Sequence, residues 1–153
     1  FHHIHGRNPY PMRSVITRDH AYIFNAWANG KREYRAEPMA GFTYRAMKRA
    51  GEKDPRLAKR VRHLEYRTVE EFYDLKNDPH CLENLAYKPP AAMRTLQKQM
   101  RDWMVQFGDF ALDAFDQRDS TEALEKFMRD YTERSGKEVE ALKPYEETNR
   151  YRF

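Results

Sequence analysis

Apolar and polar positions alternate weakly from Met12 to Arg18 (MRSVITR), where Val15, Ile16 and Thr17 favour an extended chain. Asp19-His20 supplies a tight turn, and Ala21 to Trp27 (AYIFNAW) predicts a second strand pairing back on the first. Asn29-Gly30 marks another turn, with a weaker third strand predicted over Lys31 to Arg35. After the break at Pro38 to Gly41 the period lengthens. Thr43 to Ala50 predicts a short helix that Gly51 is placed to end, and Asp54-Pro55 starts another, with Asp as cap and Pro at the first helical position. That helix presents Leu57, Val61 and Leu64 on one side. Thr68 to Leu75 (TVEEFYDL) returns to strand spacing and stops at Asn77-Asp78-Pro79.

The strongest periodicity follows Pro89-Pro90. Met93, Leu96, Met100, Trp103, Met104 and Phe107 fall at offsets 0, 3, 7, 10, 11 and 14, one apolar stripe on a helix that Gly108 would close. Beyond a partly apolar connector, Ser120 or Thr121 caps a further helix carrying Leu124, Phe127, Met128 and Tyr131, with Gly136 expected to end it. Residues 137–153 are polar and show no clear period. The order β-β-(β)-α-α-β-α-α predicts an α+β fold: a small antiparallel sheet of three or four strands, covered by the long amphipathic helix, with extra short helices. Residues 1–107 form the sheet-and-helix unit in this reading, and 108–153 a helical extension and polar tail.

Composition narrows the picture. The 153 residues are 34% charged and 40% hydrophobic, polar for a self-contained globule, while 14% aromatic content excludes a disordered chain. A thin core, or one completed against another part of the protein, fits these values. The net charge is +4, but residues 45–67 alone hold nine Lys/Arg against three Asp/Glu. Such a strip attracts anions or simply forms solvated helix faces. One cysteine excludes an internal disulfide, and no Cys/His ligand spacing occurs. No apolar run approaches the roughly 20 residues of a membrane span. The chain opens with Phe1 and shows no charged-then-apolar leader, so a fragment or cleavage product is expected.

Three stretches together carry a resemblance. "EFYDLKNDPHCLENLA" (residues 71–86) is similar to Glu-[Leu/Phe]-Tyr-Asp-Leu, two residues, Asp-Pro, then Asn-Leu; "YPMRSVITRDHAYIFN" (10–25) has a Tyr-Pro-Met-Arg strand and a returning strand ending in Asn; His2-His3 lies just upstream. In this order they resemble the C-terminal region of the sulfatase family, most closely its N-sulfoglucosamine sulfohydrolase-like branch, over about residues 1 to 107. The resemblance implies a C-terminal subdomain of an enzyme hydrolysing sulfate esters or N-sulfates on carbohydrate. Its partners would be the N-terminal catalytic domain and the sulfated carbohydrate, and the parent would be exported or lysosomal. No membrane partner and no nucleic acid is expected.

Sulfatases of this type convert a Cys or Ser in Cys-x-Pro-x-Arg to formylglycine beside a bound calcium. Cys81 is followed by Leu82, Glu83, Asn84 and Leu85, with neither the Pro nor the Arg, and Ser14, Ser120 and Ser135 fail the same test. Cys81 also stands where the family's turn often has Glu. Calcium and formylglycine are therefore implied for the parent enzyme only; this chain is expected to hold no cofactor, metal or catalytic residue and to be inert alone. His3, Arg13 and His2 are the expected substrate-side contacts, because imidazole and guanidinium groups donate to sulfate and sugar oxygens. The competing reading pairs Arg13 with an acidic neighbour in the sheet and sets the histidines in a domain seam. Two other functions stay open: a stand-alone module for anionic polysaccharide or nucleic acid built on residues 45–67, and a structural domain of a pseudo-sulfatase.

Overall fold

The computed structural model describes the backbone of residues 2–5 and 8–149 and the side chains of residues 9–137. Its strands are β1 (His2–His5), β2 (Asn8–Ile16), β3 (His20–Asn25) and β4 (Glu70–Asp74); its α-helices are α1 (Phe42–Gly51), α2 (Pro55–Glu65), α3 (Ala91–Gln106), α4 (Leu112–Asp116) and α5 (Thr121–Asn149). The strands form an antiparallel sheet in the order β1-β2-β3-β4, and the α+β class holds. Thr17 and His20 close the β2–β3 turn, with Thr17 N–H donating to the His20 carbonyl. Asp54 caps α2 by accepting from Arg56 N–H, with Pro55 at the first helical position as expected.

Register decides which side chains share a face. Arg13, Val15, Tyr22, Phe24, Glu70 and Phe72 stand on one side, and Ser14, Ile16, Ala21, Ile23, Glu71 and Tyr73 on the other. The first side is closed by α3 through Met93, Leu96, Met100 and Met104, all buried. Each contributes about 1.5–3 kcal/mol by leaving water. Ala111, Ala114, Phe115 and Leu124 enter the same cluster, so the core runs across the boundary expected at residue 107. A second, aromatic cluster joins the start of β2 to the end of β3: Tyr10 meets Trp27 edge-on with centroids 5.0 Å apart, and Tyr34 stacks on Trp27 at 5.4 Å.

Several expectations need correction. Lys31 to Arg35 is no strand; Asn29 Oδ1 accepts from the N–H groups of Lys31 and Arg32 and curls the chain after Gly30, whose φ is +72°. Gly51 is the last residue of α1, so the helix does stop there, and the glycine also allows close approach, since a Cβ there would stand 3.2 Å from the Ala58 backbone on α2. Gly108 does end α3, with φ +60°. Helix α5 runs straight through Gly136, because a single glycine costs only about 1 kcal/mol in a helix and nothing there supplies an alternative cap. In the α3 stripe Trp103 is 50% and Phe107 62% exposed: Trp103 lies at the stripe's edge, and Phe107 is the C-cap residue. Strand β1 and the five-residue α4 are additions to the expected elements.

Candidate functional site

The Asp-Pro turn is built by side chains that hold backbone. Asp78 accepts from the N–H groups of Leu82 (2.6 Å) and Glu83 (2.8 Å). Asn84 bridges two segments: its Oδ1 accepts from Phe72 and Ala86 N–H, and its Nδ2 donates to Thr68 Oγ1 and the Glu70 carbonyl. Within this turn Cys81 takes a left-handed conformation, φ +51°, and its carbonyl accepts from Arg60 at 2.7 Å. Partial burial, reinforced by Asp78, pushes the Cys81 thiol above its ordinary range. A nucleophilic thiol needs the opposite shift. Together with the absent Pro and Arg, this environment does not fit formylglycine. Among the described residues there is no group of three or more His, Cys, Asp or Glu that could hold a metal.

Arg13 projects from the α3-covered face and makes a two-pronged pair with Asp109, Nη2 to Oδ1 at 2.7 Å; the two side chains are 10% and 5% exposed. A third donor reaches the Met12 carbonyl, and the guanidinium lies over the Phe110 ring. Burial alone would raise the Asp109 carboxyl, but hydrogen bonds from Arg13 and from Ala111 N–H outweigh it and leave it below the usual range. Arg13 is thus anchored by an acidic residue, but one from the segment after α3 and not from the sheet as expected. The backbone of His2 pairs with Pro11 and that of His3 with Tyr10, which sets both on the strand next to Arg13; their side chains lie outside the described residues.

The most buried charge was not expected from the sequence. Glu71, on the face opposite α3, has no exposure. Arg67 donates to both of its oxygens (2.6 and 2.5 Å), Tyr73 O–H donates to Oε2 at 2.7 Å, and Asn25 Nδ2 to Oε1 at 2.8 Å. His63 Nε2 lies 2.7 Å from the Tyr73 oxygen and acts as its donor, since the phenol proton is given to Glu71. Burial, with Glu71 next, pushes the Tyr73 phenol up; burial also lowers His63, partly offset by Glu71. The available signal was Arg67-x-x-x-Glu71 entering a strand, where alternation puts Glu71 on the Tyr73 side.

On the other face the preceding residue repeats the pattern. Glu70 Oε1 accepts from Tyr22 O–H, from Gln97 Nε2 (2.6 Å) and from Arg118 Nε (2.9 Å). Arg67 and Arg118, the cations of the two clusters, meet at one cleft of about 430 Å³ beside the start of α5, which Arg32 and Arg62 also line. Trp27, lining it too, has a buried indole N–H with no hydrogen-bond partner among the described residues. This constellation gathers residues from Ala26 to Met128 and leaves no local trace in the sequence.

No family model matches the chain, and no curated protein matches its sequence. Among the described residues no helix is long and apolar enough to cross a membrane.

Proposed function

We propose that the chain is the C-terminal subdomain of a sulfatase acting on sulfated carbohydrate, packing on an upstream catalytic domain and forming part of its substrate pocket. One observation carries the reading: the two motif stretches lie on strands joined through β3, Tyr10-Pro11-Met12-Arg13 on β2 and Glu71-Phe72-Tyr73-Asp74 running through β4 into the Asp78-Pro79 turn, with α3 across the sheet. The nucleophile and calcium would come from the catalytic domain, since Cys81 suits neither role. Arg13 would support the pocket wall through Asp109, with His2 and His3 on the adjoining strand.

The test joins this chain to the segment encoded immediately upstream. The joined protein should release sulfate from an aryl sulfate and lose that activity when the Cys or Ser of an upstream Cys/Ser-x-Pro-x-Arg is replaced by Ala. An upstream segment without that motif, and a joined protein without turnover, would remove the sulfatase reading in favour of a structural domain.

A second reading draws on the basic strip. Residues 45–67 form the α1–α2 pair, where Arg45, Arg49, Lys53, Lys59 and Arg62 are exposed, while Arg60 and Arg67 are spent on the Cys81 carbonyl and Glu71. A stand-alone module for anionic polysaccharide would use these cations. Its retention on heparin should fall steeply as salt rises.

A further inference from the structure

The arginine cleft has a chemistry that the two carboxylate clusters do not use up. A guanidinium offers five N–H donors in a planar fork. Arg67 spends Nε and Nη2 on Glu71, which leaves Nη1; Arg118 spends Nε on Glu70 and Nη1 on the Phe115 carbonyl, which leaves Nη2. Arg32 gives Nη1 to the Trp27 carbonyl and keeps the rest of its fork. Arg62 rests over the Tyr66 ring at 5.2 Å and is bonded to no carboxylate among the described residues. Two cations, Arg32 and Arg62, therefore form no ion pair among the described residues at the β3-loop and α2 side, although the charge of Arg62 also acts on Glu65. Carboxylates stand in the lining as well: Asp119 and Glu125, from the approach to α5 and its first turns.

The lining thus mixes three kinds of group: charged donors, the two carboxylates, and apolar side chains such as Ala26, Ala28 and Leu124. A bare anion would use only the donors and be repelled by the carboxylates. A ring bearing one acidic group and several hydroxyls uses all three, because hydroxyls donate to carboxylates while the C–H face covers apolar side chains. The volume holds a single ring. We propose that this cleft binds a monosaccharide unit carrying a strongly acidic ester, sulfate or phosphate, with the ester on Arg32 and Arg62 and the hydroxyls toward Asp119 and Glu125.

The indole N–H of Trp27 provides the reporter, with Trp103 as the only other tryptophan and far more exposed. The full 153-residue chain is titrated with glucose 6-sulfate, glucose 6-phosphate, glucose and inorganic sulfate while ¹⁵N spectra follow Trp27 and the Asn29–Arg32 amides. At least one sugar ester should give saturable shifts there, with glucose inert and inorganic sulfate clearly weaker. Arg62→Gln, at an exposed position, should weaken ester binding about tenfold, since it removes a charge-assisted contact, and leave the chain folded with only a small drop in melting temperature from the lost Tyr66 contact. Arg32→Gln should weaken it similarly. Absence of saturable shifts, an equal response to inorganic sulfate, or Arg62→Gln binding as tightly as the parent would overturn the proposal. The cleft needs no upstream domain, so its occupancy and sulfate release by the joined protein are separate outcomes.

Discussion

Glu70 and Glu71 are neighbours in the chain and opposites in the fold. Each carboxylate is held by an arginine, a tyrosine and an amide: Arg118, Tyr22 and Gln97 for Glu70; Arg67, Tyr73 and Asn25 for Glu71. The chemistry is the same and the surroundings differ. Glu70 and Arg118 keep 21% and 23% of their side-chain surface, at the edge of the methionine-rich core, whereas Glu71 has none and Arg67 17%. Water therefore shares the work of solvating the first pair and is absent from one partner of the second. A charge removed from water depends entirely on its partners, so Glu71 is tied to the fold far more tightly than Glu70.

Removing Glu71 tests this most severely. Glu71→Ala leaves the largely covered Arg67 unpaired and should cost about 3–5 kcal/mol in urea unfolding. The paired replacement Arg67→Met with Glu71→Met should recover most of that loss, because an apolar pair of similar volume needs no solvation. Glu70→Ala should cost less, about 1–2 kcal/mol, since water can reach Arg118. Equal losses at the two positions would erase the distinction.

Acidity sharpens the comparison further. His63 donates into the Glu71 cluster, and its folded value lies below the ordinary 6.5. Between those two values the unfolded chain binds the proton and the folded chain does not, so stability falls as pH drops below about 6.5 and levels off beneath the folded value. Thermal melts from pH 7.5 to 5 should show that slope, and His63→Gln should flatten it. At the small end, Lys98→Ala breaks an exposed i,i+4 pair with Asp102 and should move stability by less than about 0.5 kcal/mol.

Much of the scaffold was legible because local chemistry and tertiary packing agree there. The Asp54-Pro55 cap, the Met93/Leu96/Met100/Met104 stripe and the Gly108 stop are each written within a few residues. Glycine 136 misled because a helix stop needs more than a residue tolerant of stopping. Strand β1 was missed because His2-His3-Ile4-His5 shows no apolar alternation, so its pairing with β2 comes from the partner strand. The Glu71 cluster was hidden for another reason. An acid in a strand ordinarily faces water, and only Arg67, Tyr73 and Asn25 converging from three segments make burial affordable. Arg13 likewise met its carboxylate 96 residues away, beyond any spacing rule.

These clusters hold the fold together, and Cys81 sits in a turn that raises its thiol; we propose that the chain has no sulfate-releasing chemistry of its own. The direct measurement is ion-chromatographic detection of sulfate after the purified 153-residue chain is incubated with an aryl sulfate and with an N-sulfated glucosamine. No release above the buffer blank is predicted, with Cys81→Ala indistinguishable from the parent. Turnover by the parent chain that disappears in Cys81→Ala would contradict it.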